Sequence, residues 1–184
     1  QAFALLAMAE LHHTNRDADD LPGEALDLLK ALQTRRHDQG GYCESPTHPF
    51  QANAHMHLFE AAQAWMAAGG GSQWEELAAE IVDLALSHFI DAETGVIGEF
   101  FNADWSAQAA QDHHRFEPGH QFEWATLLEA WGQRQNHTPA RKAAIQLFSS
   151  GLRGIDMTRG VAVDALSDKT TARDADARLW PQTE

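Results

Sequence analysis

The sequence predicts an all-helical protein built from helical hairpins. Apolar residues recur at helical spacing in six segments of the 184-residue chain. Short turns rich in glycine or proline separate some of these segments, and long irregular stretches separate the others. Hydrophobic residues make up 43% of the chain, which is ordinary for a globular protein. We therefore expect a single helical domain over 1–184.

The first half of the chain is expected to contain four helices. Residues 1–13 form the first, and the second, with Pro22 in its first turn, runs to about residue 37. The third spans about 51–68 and ends at three consecutive glycines. The sequence SQWE that follows is typical of a helix start, and the apolar spacing of the fourth helix continues to Phe89.

The second half is expected to contain two helices and two short hairpins. The fifth helix runs from about 119 to 132, and the sixth begins at Thr138 and Pro139. Short hairpins are expected near 96–101 and 161–163, where β-favouring residues cluster. The last residues of the chain are expected to begin another helix.

The lengths of the loops predict which end of the helical bundle contains the functional site. Tight turns at 69–73 and 132–138 would lie at one end of a helical bundle. The long segments 38–50, 90–118 and 152–178 would then gather at the other end. Long structured loops that collect on one face are usually functional.

Composition excludes several classes of partner. Thirteen basic and 27 acidic residues give a net charge of −14, which argues against nucleic-acid and membrane partners. Cys43 is the only cysteine, so an internal disulfide is impossible and a cytoplasmic location is expected. Six tryptophans stand against one tyrosine. Tryptophans bind sugars in some clefts, but they fill cores more often.

Two helices contain polar residues in patterns that could support chemistry. Asn53, His57 and Glu60 are spaced i, i+4 and i+7, so they form one stripe on the third helix. His120 and Glu123 are spaced i, i+3 and share a face of the fifth helix. His120 falls in the first turn, where the helix dipole disfavours imidazolium and helps to keep the ring neutral.

Three interpretations of these residues stay open on spacing alone. They could be solvated polar stripes, although both helices are apolar on much of their surface, which suggests burial. The two H-x-x-E pairs, 57–60 and 120–123, could bind a metal, although helical di-metal proteins use the reverse order. A neutral imidazole could instead transfer protons without a metal at a hydroxy-carbonyl carbon, oriented by a carboxylate.

Three segments resemble signature sequences of the N-acylglucosamine 2-epimerase superfamily. Residues 51–61, QANAHMHLFEA, resemble its N-x-x-M-H-x-x-E-A signature. Residues 117–124, EPGHQFEW, resemble its E-P-G-H-x-x-E-W signature. Residues 177–184, ARLWPQTE, resemble its R-x-W-P-Q-T-E segment. Three motifs in the right order make this a specific match.

The resemblance implies both a fold and an activity. The fold is an (α/α)6 barrel of helical hairpins around a pocket, of which residues 1–184 are expected to form only the middle part. The activity is cofactor-independent isomerisation or 2-epimerisation at carbons 1 and 2 of an aldose, with no metal and with the sugar as the small-molecule partner. The Asn-x-His-Met-His form of residues 53–57 favours mannose–fructose isomerisation. Epimerisation of an N-acylglucosamine is the alternative within the family.

The resemblance also assigns catalytic roles by motif position. His120 is expected to act as the acid/base in ring opening and proton transfer, and Glu123 is expected to support it. His57 and Asn53 are expected to bind the substrate and polarise it around its reacting carbons. Asn53 would hold a hydroxyl group or a developing enediolate oxygen.

Further residues are expected to shape the sugar site. Trp180 would form one wall of it, and Arg178 would contact a hydroxyl or charged group. His55 lies off the stripe that contains Asn53 and His57, so we expect it to pack elsewhere.

The family also has a substrate-binding arginine and a second catalytic histidine that residues 1–184 are not expected to contain. A 184-residue polypeptide alone is therefore expected to show little or no turnover. An incomplete barrel would expose apolar helix faces, which would favour a homodimer. Outside the family, the alternatives are a metal-binding helical-bundle enzyme and a non-catalytic domain that binds carbohydrate or protein.

Overall fold

The computed structural model consists of helices joined by tight turns and long loops. It describes residues 1–15, 20–44, 49–107, 115–167, 172–174, 176–179 and 182. The chain forms two compact units, Gln1–Leu84 and Ala85–Glu184. Among the residues described, no helix is long and apolar enough to cross a membrane.

The first unit contains four helices, as the sequence predicts. They are α1 (Ala2–Thr14), α2 (Leu21–Leu32), α3 (Ala52–Ala68) and α4 (Ser72–Leu84). Helix α1 packs against both α2 and α3, and α3 packs against α4. The turn between α3 and α4 begins at Gly69, whose φ of 88° is the left-handed conformation that glycine adopts most easily.

The second helix ends earlier than the sequence predicts. It tightens into a 3₁₀ turn at Gln33–Arg35, and Arg36 then pairs with Tyr42 in an isolated antiparallel bridge. The cause is a carboxylate from another helix. Oε1 of Glu80 accepts the main-chain N–H of Gly41 at 2.6 Å and lies 2.8 Å from Nη2 of Arg36. These tertiary bonds compete with continuation of the helix.

Two stacked tryptophans join three helices of the first unit. The rings of Trp65 and Trp74 lie 5.3 Å apart at 11°, and both side chains are buried. Nε1 of Trp65 also donates to the main-chain oxygen of Leu5, in α1, at 3.0 Å. Because a buried indole N–H needs an acceptor, this bond fixes α1 against α3.

The second unit begins with a π-helical turn at Ala85–Phe89 and contains two long helices. Helices α5 (Pro118–Arg134) and α6 (Thr138–Leu152) form an antiparallel hairpin close to the predicted bounds. Five short strands complete the described elements: β1 (Arg115–Phe116), β2 (Ile155–Asp156), β3 (Val161–Ala162), β4 (Ala165–Ser167) and β5 (Ala172–Asp174).

The strands confirm one predicted hairpin and correct two other predictions. Strands β2 and β3 pair antiparallel, which confirms the hairpin expected near 161–163. Near 96–101 the described residues make two isolated bridges instead of a strand, at Ile97 and Phe101. The helix expected in the last residues is not found in 172–174 and 176–179, and residues 180, 181, 183 and 184 lie outside the described ones. Residues 172–174 form β5, which pairs with β4 in a sheet of order β1-β4-β5. Hydrogen bonds between β4 and β5 satisfy the main chain of residues 172–174, although the local sequence favours a helix.

Aromatic packing holds the loop before β1 in place. Phe89 lies 4.9 Å from Phe101 and 5.5 Å from Trp105, measured between ring centroids. Trp105 has a φ of 60°, which is unfavourable for a large side chain, and complete burial of its ring offsets this cost. The five described tryptophans are all buried core residues: Trp65, Trp74, Trp105, Trp124 and Trp131.

We expect Trp65→Phe to lower the free energy of unfolding by about 2 kcal/mol, measured by urea denaturation. The change removes the indole donor and leaves the oxygen of Leu5 without it. Trp74→Phe is the matched control, because it removes the same ring volume from the same stack but no bond to Leu5. Equal losses in the two variants would show that the hydrogen bond contributes nothing.

Candidate active site

The polar stripe of α3 lies in its first two turns, as the sequence predicts. Oδ1 of Asn53 is buried and accepts no hydrogen bond from any described residue. Nδ1 of His57 lies 3.3 Å from Oε2 of Glu60, and the His57 side chain is only 12% exposed. The imidazole packs against the ring of Phe3 at 4.4 Å. A buried oxygen without a donor is costly, so Asn53 is a candidate for accepting a ligand hydroxyl.

His55 points away from this stripe and has a structural role. It is fully buried, Nδ1 lies 2.7 Å from the main-chain oxygen of Gln51, and Nε2 accepts the main-chain N–H of Tyr42 at 3.0 Å. An N–H donor at Nε2 and a carbonyl acceptor at Nδ1 together require the neutral ring with its proton on Nδ1. Burial lowers the pKa of His55 to about 4. The expectation that His55 packs elsewhere is confirmed.

His120 lies in the first turn of α5, and its carboxylate partner comes from a loop. Pro118 occupies the first turn, so the helix begins just before His120. Nδ1 of His120 lies 2.9 Å from Oε2 of Glu99, and these side chains are only 10% and 7% exposed. Glu123 lies one turn further along α5 and is partly buried. Its predicted support of His120 stays a prediction.

Glu99 reaches His120 because the neighbouring residue on the helix holds the loop. The side chain of Gln121 is fully buried. Its Oε1 accepts the N–H of Ile97 at 2.9 Å, and its Nε2 donates to the oxygen of Ile97 at 3.1 Å. Sequence reasoning missed both Glu99 and Gln121. No spacing rule relates a loop residue to a helix 21 positions away, so the sequence contained no signal for this pair.

A charged cavity of about 600 Å³ lies beside the start of α5. Glu117, the residue before the helix, lies between two arginines. Its Oε1 accepts from Arg115 at 3.2 Å, and its Oε2 lies 3.6 Å from Nη2 of Arg178 and 4.0 Å from Nε2 of His120. The cavity is lined by Arg115, Glu117, Asp164, Asp176, Ala177 and Arg178.

Arg178 is held at the cavity by a buried carboxylate. Oδ1 of Asp164 accepts a hydrogen bond from the main-chain N–H of Arg178 at 2.8 Å. Oδ2 accepts one from the Nε–H of the same arginine at 2.6 Å. The Arg178 side chain is still 56% exposed, so its guanidinium can also meet solvent or a ligand. Its predicted contact with a sugar hydroxyl stays a prediction. Trp180, the predicted wall of the sugar site, lies outside the described residues.

The chain belongs to the N-acylglucosamine 2-epimerase family. The model of that family, N-acylglucosamine 2-epimerase (GlcNAc 2-epimerase), matches residues 1–184. Among curated relatives, the mannose-6-phosphate isomerase of Rhizobium meliloti (strain 1021) is 42% identical over 192 residues. That alignment covers 100% of this chain and 49% of the relative, so the chain spans about half the length of the curated relative it matches.

Solved structures show the same fold at low sequence identity. A crystal structure of D-mannose isomerase has a TM-score of 0.82 and 21% identity, covering 98% of this chain and 49% of that one. Cellobiose 2-epimerase from Spirochaeta thermophila DSM 6192 has a TM-score of 0.81 and 20% identity, with the same coverages of 98% and 49%. The predicted all-helical (α/α)6-barrel fold, of which this chain forms a part, is confirmed.

We expect His55→Gln to remove a pH-dependent loss of stability. An unfolded His55 takes up a proton below about pH 6.5, whereas the folded one does so only near pH 4, so acid favours the unfolded chain. Between pH 7 and pH 5 the wild-type free energy of unfolding should fall by about 2 kcal/mol more than that of the variant. Urea denaturation at several pH values measures this difference.

The control for this experiment is His13→Gln, at an exposed position of α1. This variant should keep the wild-type pH dependence. Parallel stability curves for wild type and His55→Gln would contradict the neutral, buried state of His55.

Proposed function

We propose that the protein is a cofactor-independent sugar isomerase or 2-epimerase that acts at carbons 1 and 2 of a mannose-type aldose. The observation that most directly supports this is the buried His120–Glu99 contact inside the E-P-G-H-x-x-E-W motif. Family membership supports the reaction class. The names of two similar proteins, mannose-6-phosphate isomerase and D-mannose isomerase, support a mannose-type substrate.

The chemistry requires one base close to carbon 2 of the open-chain sugar. His120 would remove the proton from carbon 2, and the electrons of that bond would form an enediolate with the carbonyl group. Return of the proton to carbon 1, with transfer of a proton from the carbon-2 hydroxyl to the oxygen on carbon 1, yields the ketose. Protonation of carbon 2 on its other face yields the epimer. One base is sufficient for isomerisation, whereas epimerisation requires proton exchange on both faces.

The polar residues of α3 suit a substrate-binding role in this reaction. Buried Oδ1 of Asn53 could accept a hydrogen bond from a sugar hydroxyl. His57, oriented by Glu60 and Phe3, could bind a further oxygen. Glu123 is proposed to support His120, and Arg178 to contact a hydroxyl or charged group of the sugar. A cytoplasmic location and a homodimer, expected from the sequence, stay predictions.

The deciding experiment follows sugars by proton NMR in D₂O with the full chain that the gene encodes. D-mannose, mannose 6-phosphate and N-acetylmannosamine are the substrates to compare. We expect deuterium to enter carbon 1 or 2 of one sugar. His120→Ala should slow this exchange by about 10²- to 10⁴-fold. The appearance of a ketose or of a 2-epimer distinguishes the two reactions.

Two controls make the result specific. His13→Ala, an exposed substitution on α1, should exchange at the wild-type rate. Addition of EDTA should leave the rate unchanged, and loss of exchange in EDTA would favour the metal-dependent alternative. Absence of exchange for all three sugars with a folded full chain would contradict the proposal and favour a binding role.

We expect Asn53→Ala to separate function from stability. The Oδ1 atom accepts no bond from described residues, and alanine has the higher helix propensity, so the free energy of unfolding should change by less than about 1 kcal/mol. Exchange should fall at least about tenfold, because a bound hydroxyl loses its acceptor. Gln63→Ala, on the same helix, is the matched amide control and should exchange at the wild-type rate.

A further inference from the structure

The contact between Glu99 and His120 indicates which ring nitrogen of His120 carries the proton. Oε1 of Glu99 accepts the main-chain N–H of Glu117 at 3.2 Å, and Oε2 lies 2.9 Å from Nδ1 of His120. An ionised carboxylate has acceptor oxygens and no donor, so a ring nitrogen at hydrogen-bonding distance from it is favoured as the N–H donor. The neutral imidazole therefore has its proton on Nδ1 and its lone pair on Nε2.

The loop holds Glu99 rigidly in this position. Two hydrogen bonds between Gln121 and the main chain of Ile97 fix the loop two residues before Glu99. Phe101, two residues after Glu99, is buried against Phe89. A side chain anchored from both sides has little freedom to turn away, so the geometry at Nδ1 is set before any substrate binds.

The surroundings of Nε2 differ from those of Nδ1. Oε2 of Glu117 lies 4.0 Å from Nε2, beyond hydrogen-bonding distance. Arg115 donates to the other oxygen of Glu117, and Arg178 lies 3.6 Å from Oε2. The two arginines attract the Glu117 carboxylate, which limits its ability to compete with a substrate at Nε2.

We propose that Glu99 is the positioning residue of the reaction: it holds His120 in the Nδ1–H form and so assigns proton transfer to Nε2. This inference rests on the proposed function. When Nε2 takes the proton from carbon 2, the ring becomes imidazolium and its Nδ1–H still donates to Glu99. Return of the Nε2 proton to carbon 1 restores the neutral ring, so Glu99 itself neither gains nor loses a proton.

The first test measures the tautomer and does not depend on activity. Long-range ¹H–¹⁵N NMR of the full chain at about pH 8 distinguishes a protonated from an unprotonated ring nitrogen, and His120→Gln identifies the His120 signals. We expect Nδ1 to be protonated and Nε2 not. A wild-type ring protonated on Nε2 alone would overturn the proposal. A ring protonated on both nitrogens would also overturn it, because no lone pair would then be available.

The second test replaces one oxygen of Glu99 by an NH₂ group. In Glu99→Gln only one oxygen is left to accept, so either Glu117 N–H or His120 Nδ1–H loses its acceptor. We expect the His120 signals to shift towards the Nε2–H form. The kcat for exchange should fall by about 10²-fold, while KM changes by less than about threefold.

Two further variants separate positioning from general stability. Glu99→Asp keeps both acceptor oxygens, so it should keep the Nδ1–H signal and retain more kcat than Glu99→Gln. Glu129→Gln makes the same charge change further along α5 and should change neither signal nor rate. A folded Glu99→Gln chain with wild-type tautomer and kcat would overturn the proposal. If Glu99→Gln does not fold, the proposal is tested by the tautomer of the wild-type ring and by the Nδ1–H signal and kcat of Glu99→Asp.

The two proposals fail in different ways. Absence of deuterium exchange by the wild-type chain would refute the proposed function whatever the tautomer is. Exchange that is lost in His120→Ala, together with an Nε2–H ring in the wild type, would leave the function intact and refute the role of Glu99.

Discussion

Main-chain polar groups of long loops must find hydrogen-bond partners when those loops are buried, and this constraint organises both units. In the second unit, Gln121 satisfies both the N–H and the carbonyl oxygen of Ile97 from a fully buried position. In the first unit, His55 binds the main chain of Tyr42 and of Gln51, also from full burial. An unsatisfied buried amide costs more than the net contribution of one such bond, so loop positions that leave these groups unpaired are disfavoured.

This constraint also explains how candidate catalytic residues acquire their geometry. Gln121 follows His120 directly in the sequence. The residue that holds the loop and the residue that contacts the Glu99 carboxylate of that loop therefore lie in one turn of α5. His55 lies between Asn53 and His57 and fixes the chain on which both are placed. In both motifs a structural residue is interleaved with residues proposed to meet the substrate. A substitution at either structural residue would therefore change the site as well as the stability.

The charged side chains of the cavity beside α5 lie where a carboxylate also binds the main chain. Asp164 binds both the main chain and the guanidinium of Arg178, and Glu117 lies between Arg115 and Arg178. The arginines of this cavity therefore have carboxylate neighbours before any ligand arrives. Such a network limits side-chain motion and reduces the reorganisation needed on binding. The tryptophans, in contrast, stabilise the core: the five that the structure describes are buried.

The sequence by itself determined the helices, their hairpin arrangement and the membership of the family. Helical spacing and glycine or proline at helix ends are local signals, so six helix positions could be read directly. The same local logic placed His120 in a first turn and separated His55 from Asn53 and His57. Only the tertiary structure decided that α2 ends early at the Glu80 contact, that β5 is a strand and that Glu99 is the partner of His120. These outcomes depend on contacts between distant residues, for which the sequence contains no periodic signal.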